Sequence, residues 1–229
     1  MAVPLLVLSS MATREVLREL LRTCEAQAAT TVALESVGGV DAAKRVAAGE
    51  PVDVVVLAGD AIDRLAAAGH LLAGSRVDLV RSGIGAAVRA GSPKLALHDV
   101  AALRRAVLEA DAIGYSTGPS GAHLLQLFAD WGLVDALQPR LVQAPPGVPV
   151  AALVASGKVT LGFQQLAELV HAPGIDVVGP LPRGAQTITV FAGAVAASST
   201  RGAEARGLLA ALAEPGTAAA KLRHGLEPA

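Results

Sequence analysis

Residues 52–59 read VDVVVLAG, a Val/Leu run that ends at a glycine. A strand with one wet face alternates apolar and polar residues. A strand that is apolar at successive positions has both faces covered, which is the habit of a parallel sheet flanked by helices. The neighbouring segments agree. PLLVLSS reads as a buried strand and MATREVLRELLRTCEAQ as an amphipathic helix with Val16, Leu17, Leu20 and Leu21 on its apolar face. TTVALESVGG is strand-like. VDAAKRVAAG and DAIDRLAAAG are helices that close on Gly49 and Gly69. Strand and helix therefore alternate in βαβ order.

A second run of the same grammar starts near RSGIGAAVRAGSP. HDVAALRRAVLEA is a helix and AIGYS a strand, followed by the loop STGPSG and another helix. RLVQAPPGVPVAALVASGKVTLGFQQLAELV gives strand, Pro-rich turn, helix, strand and short helix. IDVVGPLP is a further strand, AQTITVFAGAVAASS a strand that crosses back, and the C-terminal stretch two helices broken at Glu214–Gly216. The expected architecture is α/β in two lobes, each a mostly parallel sheet flanked by helices, with the chain crossing between them twice. Residues 1–84 and 190–229 form one lobe and residues 85–189 the other.

Composition narrows the function. The 229 residues are 52% hydrophobic but 2% aromatic, so the core is built from Ala, Val and Leu. A net charge of −1 supplies no long-range field for nucleic acid or acidic membranes, and no basic cluster or stacking aromatic set is present. One cysteine, Cys24, excludes an internal disulfide and a cysteine-based zinc site, and the five histidines are dispersed. No metal or cofactor is expected, no segment reads as a membrane span, and a monomer or weak dimer is expected. AVPLLVLSS is too short for a signal peptide and lacks a basic flank. The expected location is cytoplasmic, or periplasmic if an export signal has been trimmed.

In open α/β sheets ligands sit beyond the carboxyl ends of the strands. Those ends read Ser9–Ser10, Glu35–Ser36 with Gly38, Gly59–Asp60, Arg81–Ser82–Gly83, Ser116–Thr117–Gly118 and Gln164–Gln165. Two of them, Ser9–Ser10 and Ser116–Ser120, lead directly into helices. Helix N-termini carry unpaired N–H groups and a dipole that favours negative charge, so such loops suit a small anion. Each has a plainer reading. Ser9, Ser10, Thr117, Ser120 or Asp60 can serve only as helix caps. Arg81 can be a surface ion-pair partner, Gln164 and Gln165 can simply start a helix, and His123 can lie on a solvated face with Gln126 and Asp130. The recurrence of hydroxyls and amides at successive strand ends favours the anion site.

VLSSMATREVLREL, VDVVVLAGDAIDRLAAAGHLLAGSRVDLVRSGIGAAVRAGSP, IGYSTGPSGAHLLQLFADWG and VTLGFQQLAELVHAPGIDVVGPLP together resemble the molybdate-binding-protein-like branch of the bacterial solute-binding proteins, over nearly the whole chain. That resemblance implies the two-lobed type II periplasmic-binding-protein fold, with an oxyanion held between the lobes by hydroxyls and backbone N–H groups. It carries a binding role onto Ser9 or Ser10, onto Ser36 before Gly38, and onto the loop at Gly59–Asp60. ESVGGVDAAKRVAAG and GYSTGPSGAHLL are closer to a subgroup that includes aconitate isomerase, which implies a di- or tricarboxylate ligand and a cofactor-independent shift of a carbon–carbon double bond. The alternative is a non-catalytic solute-binding protein, for a transporter or a sensor, that takes molybdate-like oxyanions or carboxylates. The expected ligand contacts are Ser9, Ser10, Ser36, Gly38, Arg81, Ser82, Ser116, Thr117, Gly118, Ser120, Gln164 and Gln165. A double-bond shift needs one acid/base group, for which Glu35, Asp60, Tyr115 and His123 are the candidates.

Overall fold

The computed structural model describes residues 3–28, 31–93 and 95–229. The chain runs β1 (Leu5–Ser10), a single 3₁₀ turn (Met11–Thr13), α1 (Arg14–Ala28), β2 (Val32–Val37), α2 (Gly39–Ala47), β3 (Val54–Ala58), α3 (Gly59–Ala67) and β4 (Val77–Arg89). It continues through α4 (Val100–Glu109), β5 (Ile113–Tyr115), α5 (Pro119–Asp130), α6 (Val134–Leu137), β6 (Leu141–Gln143), α7 (Val150–Ala155), β7 (Leu161–Gln165) and α8 (Leu166–Leu169). It closes with β8 (Ile175–Pro180), β9 (Ile188–Val195), α9 (Gly202–Ala213), α10 (Ala218–Arg223) and β10 (Glu227–Pro228). Two compact units result: Met1–Arg81 with Val190–Ala229, and Ser82–Thr189. The chain leaves the first unit within β4 and re-enters it within β9.

In the first unit β1 pairs in parallel with β2 and β3, and β9 adds antiparallel to β3. All five residues of β3 are buried. Val55 and Leu57 pack with Leu8 against Ala42 and Val46 of α2 and Ile62 and Leu65 of α3. Val56 points the other way, toward Val16, Leu17 and Leu20 of α1 and Leu212 of α9. Each such side chain contributes about 1.5–3 kcal/mol by leaving water, and the opposed packing forces helices onto both faces of the sheet.

The second unit repeats the plan. β5 lies between β6 and β7, both parallel to it, while β4 and β8 add antiparallel strands. Each unit's sheet is thus mixed, with three parallel strands and antiparallel neighbours, β9 in the first unit and β4 and β8 in the second. The core gathers Ile84, Leu103, Val107, Ile113, Leu124, Phe128, Leu161 and Phe163. α4 starts at Asp99, whose carboxylate accepts from Ala102 N–H at 2.7 Å, an ordinary N-cap.

One expectation changes. Arg81–Ser82–Gly83 is no strand end, because β4 runs unbroken to Arg89. Its glycines stand for close packing, not for a turn. A Cβ on Gly83 would come within 3.0 Å of the Gln186 amide nitrogen, and one on Gly85 within 2.9 Å of Leu166. Gln186 lies alongside β4 and behaves like a short strand. Its Oε1 accepts from Ile84 N–H at 2.8 Å and its Nε2 donates to Ile84 C=O at 2.9 Å.

Gly121 carries the tightest constraint in the second unit. A Cβ there would lie 1.8 Å from the Ser116 carbonyl oxygen. Gly121→Ala is therefore expected to destabilise the protein by about 3 kcal/mol or more, in the upper range for overpacking a fixed backbone. Gly207→Ala, on an exposed part of α9 with open space around the new methyl, is expected to stabilise by about 0.5–1 kcal/mol. Urea unfolding of the two variants checks both signs.

Candidate functional site

In the first unit the carboxyl ends of β1, β2 and β3 lie side by side, with Ser9 opposite Ser36 in register. Their hydroxyls meet at 2.7 Å, and Ser9 is fully buried. The Ser10 hydroxyl lies 3.5 Å from that of Thr13, which donates to Ser10 C=O at 3.2 Å. Beyond each strand a helical turn begins with no side-chain cap: after Ser10, after Gly38 and after Ala58. Ser9, Ser10, Ser36 and Gly38 are thus brought together, and the N–H groups of three first turns are left without side-chain acceptors.

The two carboxylates expected near this edge are occupied. Glu35 is exposed and takes both outer nitrogens of Arg45, at 2.6 and 2.8 Å. The Arg45 hydrogen bonds hold its carboxyl below the usual range. Glu50 also binds Arg45, so the arginine clamps β2 to the end of α2. Asp60, in the first turn of α3, pairs with Arg64 one turn on, at 2.9 Å. Arg81 is exposed in mid-strand, opposite Glu227 of β10, with Ser82 buried beside it.

In the second unit the loop after β5 is built as a hydroxyl platform. Ser116 and Ser120 hydroxyls lie 2.9 Å apart, and Gly118 N–H donates to Ser116 Oγ at 3.3 Å. α5 has Gly118 at its N-cap and no side-chain cap, so neither Thr117 nor Ser120 serves as one. Ser120 is buried and Thr117 exposed. Tyr115 is half-buried below the loop, its ring 3.2 Å from where a Gly121 Cβ would be. His123 is half-buried on the same side as the exposed Gln126 and Asp130, and it is not free. Its Nε2 meets Ala185 C=O at 2.9 Å. A carbonyl only accepts, so Nε2 donates there and any ring lone pair lies on Nδ1.

The adjacent glutamines diverge. Gln164 is engaged at both ends of its amide: Oε1 accepts from Val150 N–H at 2.9 Å, capping α7, and Nε2 donates to Glu168 at 2.5 Å. Gln165 is equally buried, yet only its Nε2 is satisfied, by the Thr189 hydroxyl at 3.0 Å. Its Oε1 is buried without a partner. Because the Thr189 hydroxyl can donate or accept, the amide can be turned over, which leaves an N–H₂ free instead. A polar atom so placed costs about 1–3 kcal/mol unless something outside the chain satisfies it.

Three residues of consequence escaped the sequence reading: Thr189, Gln186 and Lys221. Thr189 follows the alternation TITVF and could have been found from its parity in β9. Gln186 has no local signal, because its partner lies about a hundred residues away in the chain. Lys221 looks like an ordinary surface lysine in AAAKLR, but it is buried. No cluster of His, Cys, Asp or Glu among the described residues has metal-site geometry.

With this geometry in place, the comparisons define the class. The family model for bacterial extracellular solute-binding proteins matches residues 5–227, and the chain belongs to that family. Its fold is the type II periplasmic-binding-protein fold. It superimposes on the periplasmic molybdate-binding protein of Azotobacter vinelandii with a TM-score of 0.81 at 23% identity, over 97% of this chain and 98% of that one. The sulfate-binding protein SubI from Mycobacterium tuberculosis gives a TM-score of 0.81 at 17% identity, over 99% of this chain and 87% of that one. Among curated relatives, the chain is 40% identical over 184 residues to the aconitate isomerase of Pseudomonas sp, covering 80% of this chain and 70% of that protein. No described helix is long and apolar enough to cross a membrane.

The engagement of Gln164 has a measurable consequence. Gln164→Leu strands the Val150 N–H at the start of α7 and is expected to cost about 1–3 kcal/mol of stability. Anion affinity of the folded variant should stay unchanged. Urea unfolding and calorimetry on the same sample separate the two.

Proposed function

We propose that this protein binds a small tricarboxylate of the aconitate type and shifts its carbon–carbon double bond by proton transfer. The observation that carries the binding half is the pair of hydroxyl platforms, Ser9–Ser36 and Ser116–Ser120, each set against helix first turns that lack side-chain caps. These are arrays of hydrogen-bond donors, and they suit carboxylate oxygens without a basic patch. The orphaned end of Gln165 adds one more buried group that a ligand satisfies. The isomerase relative supports the catalytic half.

The reaction removes a proton from the methylene carbon beside the double bond and returns one to the former vinyl carbon. The electron pair passes through a carbanion delocalised into the neighbouring carboxylates. Donors aimed at those carboxylates stabilise the charge as it develops. Ser116, Ser120 and the α5 N–H groups are assigned that role. The acid/base group is assigned to His123. Glu35 and Asp60 are tied up in ion pairs, and a phenol such as Tyr115 is a weak base near neutrality. His123 keeps Nδ1 open while the bond to Ala185 orients the ring. One group that both takes and returns the proton needs no cofactor.

The second reading, a solute-binding protein without chemistry, draws on the family description and on molybdate- and sulfate-binding neighbours. Of the two locations the sequence leaves open, the family description favours the periplasm.

The deciding experiment incubates the protein with cis- or trans-aconitate in D₂O and follows the vinyl and methylene protons by NMR. Interconversion with some entry of solvent deuterium is expected. His123→Ala should abolish it while leaving binding within about twofold, because the lost interaction acts in the transition state. Ser116→Ala and Ser120→Ala should each weaken binding by about 1–2 kcal/mol, the range for a hydrogen bond to a charged group. Isomers that bind but never interconvert leave the solute-binding reading standing. If neither isomer binds, calorimetry with molybdate and sulfate becomes the next measurement.

A further inference from the structure

Strand parity decides where the orphaned amide of Gln165 lies. In β7, Leu161 and Phe163 face the core of the second unit, with Leu124 and Phe128 of α5 in the same cluster. Gln165 has the same parity, and in the antiparallel register it stands opposite Ile84, another member of that core. Gln164 has the other parity and reaches Val150 at the start of α7. The parallel register pairs Tyr115 of β5 with Phe163. Continued along both strands, it sets Gln165 level with Thr117, in the loop that opens α5. Gln165 therefore lies on the face of the sheet that α5 covers. It is one strand over from the Ser116–Ser120 platform and the uncapped first turn behind it.

Gln165 is 2% exposed. One end of its amide meets the Thr189 hydroxyl at 3.0 Å, and the other has no partner among the described residues. A buried amide end in that condition costs stability unless a group from outside meets it. Two arrangements are open to the side chain. With Nε2 on Thr189 the hydroxyl accepts, and the free end is a carbonyl oxygen. With Oε1 on Thr189 the hydroxyl donates, and the free end is an N–H₂ donor. Thr189 serves both, because a hydroxyl is donor and acceptor in one atom. The surroundings choose between them. The first turn of α5 offers N–H groups and the positive end of the helix dipole. An anion held there repels a carbonyl oxygen and attracts an N–H₂ group.

We propose that Thr189 is a positioning residue: in the loaded protein its hydroxyl donates to Gln165 Oε1 and so directs the amide N–H₂ at a carboxylate of the ligand. This rests on the reading of the loop before α5 as an anion site. It gives the second unit a neutral donor whose other end is fixed. That donor recognises an oxygen without a proton. A ligand hydroxyl or protonated carboxyl that donated at the same point would need the opposite orientation.

The test is calorimetry of trans-aconitate binding at a pH of about 8, above the ordinary carboxylate range. Gln165→Leu should bind about tenfold more weakly, the effect of losing a hydrogen bond to a charged group. Gln165→Glu keeps the shape but has no N–H₂, so it should bind more weakly still. Thr189→Val should also lose about tenfold, whereas Thr189→Ser, which keeps the hydroxyl, should stay within about twofold of wild type. In a Gln165→Leu background Thr189→Val should have no further effect, because the threonine acts only through the amide. NMR of wild-type protein labelled with [ε-¹⁵N]glutamine does not depend on any variant folding, and the Gln165 N–H₂ protons should move downfield when trans-aconitate binds. Three results each overturn the proposal and leave the anion site in place: binding by Gln165→Glu as tight as wild type, a Thr189→Val loss that persists in the Gln165→Leu background, or Gln165 N–H₂ signals that do not respond to bound ligand. If wild type binds neither aconitate isomer, the anion site falls and this proposal with it.

Discussion

The structure depends on β3 being covered on both faces. Val55 and Leu57 need α2 and α3 on one side, and Val56 needs α1 and α9 on the other. Once helices must return over both faces between parallel strands, every helix that follows a strand starts at the same edge of the sheet. The uncapped first turns after Ser10, Gly38 and Ala58 are a consequence of that geometry. So is the register that sets Ser9 against Ser36. The second unit obeys the same rule with β5, β6 and β7, and its loop after Tyr115 falls at the equivalent edge. The place where a polar ligand can be met is set by burying aliphatic side chains that never touch it.

What the proposed anion site needs at those edges is hydrogen bonding without fixed charge. Full ionic groups lie near the first unit's edge, but they are spent on one another: Glu35 and Glu50 on Arg45, Asp60 on Arg64, Asp63 and Asp78 on Arg76. Such exposed pairs contribute little to stability. On the proposed reading, their effect is to remove carboxylates that would otherwise repel an anion. The remaining donors are hydroxyls and backbone N–H groups, which are fixed by strand register and helix starts and need no reorganisation when a ligand arrives.

Much of this was legible because it is local. The Val/Leu run of β3, the apolar face of α1 and the glycine-rich turn before α5 all rest on residues within a few positions of one another. Non-local causes were not legible. Gly83 and Gly85 look like turn residues in RSGIG, and only the arrival of Gln186 and Leu166 from far along the chain makes them strand residues. The glutamines of LGFQQ look alike in sequence. Strand parity sends one to cap α7 and the other toward Thr189. Lys221 is hidden for the same reason, because its burial is set by α1, β3, β4 and α9 rather than by AAAKLR.

The contrast between Gln164 and Gln165 bears on how the family's fold can be turned to different uses. A fully satisfied buried amide fixes geometry and nothing else, since neither end has a second arrangement to adopt. An unsatisfied buried group has two states, and whatever reaches it selects between them. Gln165 can turn its amide over. Its settled end is held by the Thr189 hydroxyl. Leaving such groups unpaired lowers the stability of the empty protein, because desolvation is not offset by a partner. It raises the affinity for a ligand that supplies the missing partner by the same amount. A chain with an aliphatic core this well packed can tolerate that loss, and the aliphatic strands and the unpaired polar groups beside them are parts of one physical arrangement.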